Sequence, residues 1–367
     1  RRFTKKTFLV LTVLLCVLFL VTCLTPYLNP QHWWLTGFLA LGVPYIILVL
    51  IFCMFFWLVA KPSLSLVPII TLTIGWKQIS LLFAAHFSPP FVQLHADTTI
   101  RVISWNVGNM YGLSPDPDKR KHDRTEIAGT VMKTDADIVC LQEFNHSYTQ
   151  GSDADNIGLF TGKYPYYYFS KNYEKAKGFY ASGTIVFSRY PIIDSGRLKF
   201  PSQIPENLVY IDVVRQTDTL RIYTTHLQSF AFTGTDYKEM EKIKETNSES
   251  IKASKNIFGK MKAAFTTRAA QADIVRKELD TCTRRSLICG DFNDVPNSYV
   301  YNHIRADRQD AFLAKGLGIG KSFIALAPTL RIDYILPDQS FYINQFNMID
   351  ENLSDHLMLV ADLSLKK

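Results

Sequence analysis

Acidic residues are missing from the first quarter of the chain: residues 1–96 contain no Asp or Glu, against six basic residues, Arg1, Arg2, Lys5, Lys6, Lys61 and Lys77. That excess accounts for most of the formal charge of +7, because residues 97–367 hold 34 basic against 33 acidic residues. An overall electrostatic attraction of the later part to a polyanion is therefore excluded, although a local basic patch is not. Cysteine is scarce as well. The six cysteines form no CxxC or CxxxH spacing, which argues against a zinc site, and Cys140, Cys282 and Cys289 are too few for a disulfide framework. Buried free thiols are expected, with a Cys282–Cys289 bridge as the alternative. A phosphate-binding Gly-Lys loop is also absent. Gly316-Leu317-Gly318-Ile319-Gly320-Lys321-Ser322 has Lys315 where the first glycine is required, so the stretch reads as a flexible loop.

What fills the first quarter is apolar. Residues 8–28, 34–60 and 64–84 are runs of roughly 20 residues or more, long enough to cross a bilayer as helices. They predict a membrane anchor over 1–85 with three transmembrane helices, the third interrupted by Gly75-Trp76-Lys77-Gln78. Basic residues precede the first run, none lies in Asn29–Trp34, and Lys61 sits in the next connection. The positive-inside rule then places the N-terminal side in the cytoplasm and, after three crossings, the rest of the chain outside. The expectation is a multi-pass protein of a cell inner membrane with a periplasmic or extracellular domain. A signal peptide ending near Leu20-Val21-Thr22-Cys23 is the competing reading.

Residues 86–97, with Pro89-Pro90, mark a linker. Beyond it, short apolar runs predict strands at Ile100–Trp105, Ile138–Leu141, Gly183–Phe187, Leu208–Val214, Leu220–Thr225, Leu287–Cys289, Ile332–Leu336 and Leu357–Leu363. Helices are predicted at Arg124–Lys133 and Thr267–Leu279. The fold class is α+β, two packed sheets with helices outside, in one domain over 98–367. Residues 229–266 stand apart as a helical insertion, with an apolar tip at Phe230-Ala231-Phe232 and then a Lys- and Glu-rich stretch bearing Met240, Ile243, Ile251, Ile257, Phe258, Met261 and Phe265. It reads either as an arm packed on its own domain or as a membrane-facing or gating element.

Polar residues interrupt the strand-like runs at their ends: Asn106 in Ser104-Trp105-Asn106, Glu143 in Leu141-Gln142-Glu143, His226 in Thr225-His226-Leu227, Asp291 and Asn293 in Gly290-Asp291-Phe292-Asn293, Asp333 in Arg331-Ile332-Asp333-Tyr334, and Asp355-His356 after Ser354. Carboxylates at the ends of buried strands need a compensating purpose. Carboxylate, carboxamide and imidazole together suit metal-assisted attack on a phosphate ester. With Ser182-Gly183 through Ser188-Arg189-Tyr190-Pro191-Ile192, these motifs stand in the order found in the endonuclease/exonuclease/phosphatase superfamily, which the chain resembles over 98–367.

The resemblance implies a four-layered α/β/β/α sandwich of the deoxyribonuclease I type and a Mg²⁺-dependent phosphoesterase, Mn²⁺ being an acceptable substitute. It implies Glu143 as the principal metal ligand beside Asn106, with Asp355 as a second metal-side carboxylate. Asp291 would orient or deprotonate water, Asn293 would donate to a phosphate oxygen, His226 would serve the phosphoryl or leaving oxygen, and Asp333 would hold His356. Either Asp291 or His356 remains open as the general base. The Thr-His-Leu at 225–227 is similar to the deoxyribonuclease, sphingomyelinase and phosphatase branches. The expected partners are a lipid bilayer and a phosphate ester, either a phospholipid or sphingolipid head group or a nucleic acid. A surface nuclease and a membrane scaffold with a retired catalytic domain are the alternatives.

Overall fold

The computed structural model describes the chain apart from residues 1, 88–89, 95, 115, 150–151, 153, 202–205, 243–247, 326 and 367, and apart from the side chains at 2–4, 241–242 and 248–250. Parts of the expected linker and insertion, Ile243 among them, thus lie outside the described residues. The chain forms two compact units. One comprises Arg1–Phe83, Ser229–Asp273 and Asp294–Ile304, and the other Ala84–Gln228, Ile274–Asn293 and Arg305–Lys367.

The first unit is helical. Helices α1 (Arg2–Thr22, 21 residues) and α2 (Leu35–Ala60, 26 residues) are long and apolar enough to cross a membrane. At about 1.5 Å per residue they are roughly 30 and 40 Å long. Most of their surface is not covered by protein: Val10, Leu14, Leu48 and Phe52 are exposed, while Phe19, Val43 and Leu50 pack between the helices. The third span expected over 64–84 is corrected by the structure. It is divided into α3 (Pro62–Ile74, 13 residues) and α4 (Trp76–Ser80), so two helices of spanning length stand where three were expected. The cause is Gly75, where a Cβ would lie 2.2 Å from the Phe19 ring: the chain must pass close to α1 as the helix ends. Thr12 Oγ1 accepts the Trp57 indole N–H at 3.0 Å, fixing α1 against α2.

The second unit is the α+β sandwich. Helix α5 (Pro117–Thr134), capped by Asp116, covers one face of a seven-stranded sheet through Ile127 and Val131. Its main strand order is Phe341–Ile349, Met358–Leu365, Thr99–Asn106, Ile138–Ser147, Tyr180–Ser188, Tyr166–Phe169. The other sheet runs Asp333–Pro337, Arg285–Asp291, Asp218–His226, Asn207–Arg215, Ile192–Lys199. Alternation sends Val102, Ile138 and Cys140 from the first sheet against Ile211, Ile222, Leu287 and Cys289 from the second. That shared interior is the core of the domain. Short helices follow at α6 (Gly158–Thr161) and, in the other unit, α7 (Gly234–Lys242). Helix α8 (Ser248–Thr281) then runs for 34 residues, and its Glu278 accepts the Tyr223 hydroxyl on the outer face of the five-stranded sheet. All six cysteines are free, so the Cys282–Cys289 alternative falls away.

A buried ion pair ties the edges of the seven-stranded sheet's centre. Arg101, fully buried, donates to both oxygens of Asp362 at 2.7 and 2.9 Å and to the carbonyls of Val92 and Thr134 at 2.8 Å. Removing one member leaves the other buried and uncompensated. Asp362→Ala is expected to cost about 3–5 kcal/mol, read as a lower urea midpoint of unfolding.

Candidate active site

The site forms where strand ends of the two sheets meet. Register sets Asp291 opposite His226 in the parallel pair and opposite Asp333 in the antiparallel pair, so three functional side chains leave one end of the five-stranded sheet. Gly290 lets the strands approach: its φ is +135°, and a Cβ there would meet the Thr225 carbonyl oxygen at 2.0 Å. Across the interior, Asn106 closes its strand. Glu143 sits in a register shift between Leu141 and Phe144, with φ +49°. The bulge turns its carboxylate out of the ladder and leaves it about a third exposed.

Asp291 is the hub. It is 1% exposed, and its carboxylate accepts from Asn106 Nδ2 at 3.1 Å, from the Asn293 backbone N–H at 2.8 Å and from Asn293 Nδ2 at 3.2 Å. The Nε2 atoms of His226 and His356 each lie 3.6 Å from its Oδ2. Asn106 Nδ2 also donates to Glu143 Oε1 at 3.0 Å, and His226 Nε2 stands 3.7 Å from the same carboxylate. Each imidazole has its own carboxylate on Nδ1, Asp333 for His356 at 3.0 Å and Glu206 for His226 at 3.2 Å. Burial opposes the charged form of both rings, but the carboxylates outweigh it. Glu206, Asp291 and Glu143 raise the His226 pKa well above its ordinary value, and Asp333 with Asp291 raises that of His356 to about 10. Burial pushes the Asp333 carboxyl up, against the pull of the His356 imidazole.

Seven of the eight residues singled out in the sequence thus join one connected cluster. Asp355 does not join it directly. It is half-buried, its side chain meets Ser354 Oγ at 3.5 Å, and among the described residues it has neither a hydrogen bond nor an ion pair with Glu143 or Asn106. Three supporting residues were not foreseen. Glu206 lies just outside a strand and carries no motif. Ser354 donates to the Asn106 carbonyl at 2.7 Å and accepts from the His356 N–H, while Ser322 accepts the N–H of Asp333 at 3.1 Å. Ser354 stands beside Asp355-His356 and was legible as part of that motif, whereas Ser322 lay in the stretch read as a loop.

The donor set fits a hard divalent cation at Glu143 and Asn106. Glu143 has a partly exposed carboxylate that accepts from Asn106 Nδ2, and Asn106 Oδ1, which accepts the Gly108 N–H at 3.2 Å, keeps a second lone pair for a cation. Asp291, Asp333 and His356 form a tighter group, with ligand atoms within 4.8 Å of one another. His356 Nδ1 is already committed to Asp333, however, and that group reads better as a proton-holding pair than as a metal cage. His226 Nε2 is buried with no hydrogen bond and faces the space between Glu143 and Asp291. An oxyanion placed there would satisfy it. Glu206→Gln is expected to lower the His226 pKa, which a proton-detected imidazole titration by NMR would read. An unchanged midpoint would mean that Glu206 does not hold the proton.

Residues 103–356 match the profile of the Endonuclease/Exonuclease/phosphatase family, and residues 5–82 match that of a domain of unknown function. No curated protein sequence matches the chain. Among solved structures, an endonuclease/exonuclease/phosphatase from Beutenbergia cavernae superposes with a TM-score of 0.52 at 19% identity, covering 73% of this chain and 72% of that one. The human nocturnin catalytic domain, solved with a bound sulfate anion, gives 0.52 at 19% identity, covering 76% of this chain and all of that one (100%). A family protein from Bacteroides thetaiotaomicron gives 0.51 at 14% identity, covering 73% and 98%. At such identities the likeness is one of fold, a mixed sandwich of the same architecture. The family assignment rests on the profile, which takes in the whole run of motifs from the first central strand to His356: the chain belongs to the endonuclease/exonuclease/phosphatase family.

Proposed function

We propose that the protein is a membrane-anchored, Mg²⁺-dependent phosphoesterase that hydrolyses the phosphate ester of a lipid head group outside the cytoplasm. The observation that carries the enzymatic reading is the buried Asp291 carboxylate between two imidazoles that each hold a carboxylate behind them. Asp291 would take a proton from water, and His226 and His356, charged by Glu206 and Asp333, would donate to phosphoryl and leaving oxygens. Asn293 donates both Nδ2 hydrogens, to the Leu227 carbonyl and to Asp291, so it would orient that carboxylate and would reach a phosphate oxygen only by giving up one of these bonds. Glu143 and Asn106 would hold the cation, with Asp355 available from the side of Ser354. When bound, the ion supplies positive charge against the developing charge on phosphate.

The lipid assignment draws support from the anchor. Apolar surface on α1 and α2 faces outward, and the later part of the chain is close to electrically neutral. Orientation draws support from the ends of the helix hairpin. Lys5 reaches the Ala60 carbonyl at 3.4 Å, so Lys5 and Lys61 mark one end. At the other end Thr25 donates to the Asn297 carbonyl at 2.6 Å and Asn29 to Asp273 at 3.2 Å. The positive-inside rule leaves that end of the hairpin, with residues 273 and 297, extracytoplasmic. A nuclease is the second reading. It is favoured by a cleft of about 370 Å³ lined by Asn109, Tyr111, Arg120, Lys121 and Arg124, a basic and aromatic surface of the kind that takes a nucleic-acid strand.

The full-length protein in lipid nanodiscs should hydrolyse phospholipid head-group diesters with Mg²⁺ and lose activity on chelation, Mg²⁺ or Mn²⁺ restoring it. Faster cleavage of plain DNA or RNA, falling steeply with salt, would replace the lipid reading with the nuclease. Asp333→Asn is expected to lower kcat roughly 10²–10⁴-fold. It also removes the carboxylate that keeps His356 protonated, so the basic limb of the kcat/KM profile should move to lower pH. A profile unmoved on that limb would remove His356 from the role of proton donor.

A further inference from the structure

We infer that the first half of α8 is a second membrane contact, an interfacial helix lying against the head groups of anionic lipid beside the anchor. The inference rests on reading α1 and α2 as membrane helices, and goes beyond it by assigning lipid contact to a segment that is not itself a span. Residues 251–267 carry four lysines and neither Asp nor Glu. Ile251, Lys255, Phe258 and Lys262 recur at helical spacing along one exposed stripe, Ile251 61% and Phe258 41% accessible. The opposite face, Ala253, Ile257 and Ala264, is buried, and Phe265, seven residues beyond Phe258 on the same side, is buried against α2. Alternating apolar side chains and lysines on one face suit a head-group boundary, where the lysine stems lie along the acyl surface and the ammonium groups reach phosphate.

The depth of that stripe follows from its contacts. Phe258 stacks on Phe38 with centroids 4.5 Å apart and meets Trp34 edge-on at 5.2 Å, while Lys262 lies 4.7 Å over the Trp34 ring. Phe265 packs against Phe38 at 5.0 Å and fills the space at Gly37, where a Cβ would fall 2.4 Å from its ring. Trp34, Gly37 and Phe38 form the first turn of α2, the level at which a spanning helix enters the bilayer. Exposed Trp33 and Tyr27 at the same end of the hairpin provide the aromatic residues typical of that boundary. Lys260 is the exception among the four lysines, being paired with Asp236 at 2.6 Å. Lys262 is engaged by the Trp34 ring, and Lys252 and Lys255 remain for lipid.

The test places p-benzoylphenylalanine at Ile251, at Phe258 and at Phe52, which is exposed midway along α2, in the full chain reconstituted into nanodiscs containing phosphatidylglycerol. After irradiation, phospholipid adducts are read by mass spectrometry. Adducts at all three positions are expected. Adducts at 52 but none at 251 or 258 overturn the interfacial helix and leave the anchor standing, and adducts at none of the three overturn the anchor as well. With Lys252→Gln and Lys255→Gln, the adduct yield at 258 should fall by up to roughly fivefold per lysine in the anionic discs and little in neutral phosphatidylcholine discs. Equal yields in both kinds of disc overturn the assignment to anionic lipid.

Discussion

The geometry of the site depends on one buried carboxylate being surrounded by donors. Asp291 has no solvent to satisfy it, so Asn106, the Asn293 backbone and the Asn293 side chain must do so, and each of those groups is thereby fixed. The two imidazoles at equal distances then complete a shell whose charge is balanced outward by Glu206 and Asp333. Strand register delivers three members of this arrangement, while Asn293, His356 and Glu206 come from the segments beside the strands. His226, Asp291 and Asp333 are cross-strand neighbours, and no loop has to be ordered to bring them together.

The strands that carry functional residues were legible because they lie in the interior of the sandwich and are apolar throughout, from Ile100–Trp105 to Leu287–Cys289. Two of the edge strands were not, whereas Asp333–Pro337, at an edge but buried throughout, was foreseen as Ile332–Leu336. Ile192–Lys199 and Phe341–Ile349 mix polar and apolar residues without a clean alternation, since one face of each meets solvent. The same contrast governs the site. Asn106, Glu143, His226, Asp291, Asn293, Asp333 and His356 announce themselves by interrupting apolar runs. Glu206 sits in a polar neighbourhood, where one more carboxylate carries no signal. The third membrane span failed for a different reason: hydrophobic length cannot register that Gly75 must pass against Phe19, and the break there is a packing event.

The helical unit also takes in a segment that begins one residue after Asn293. Asp294, fully buried, pairs with Arg268 of α8 at 3.2 Å, and Asn297 is held by Thr25 and by Gln78, the latter accepting its side-chain N–H at 2.7 Å. Residues from the hairpin connection and from the break after α3 therefore grip the chain directly downstream of the strand that ends at Asp291. Such a grip gives the apolar helices a structural part in the protein as well as a place to reside.

Glu143 occupies left-handed backbone space that a residue carrying a Cβ does not choose freely, at a cost of roughly 1–3 kcal/mol. Glycine or asparagine would rest there more comfortably. Selection for foldedness alone would thus drift away from glutamate at this position, and its persistence in a lineage would be a record of catalytic demand outweighing conformational ease.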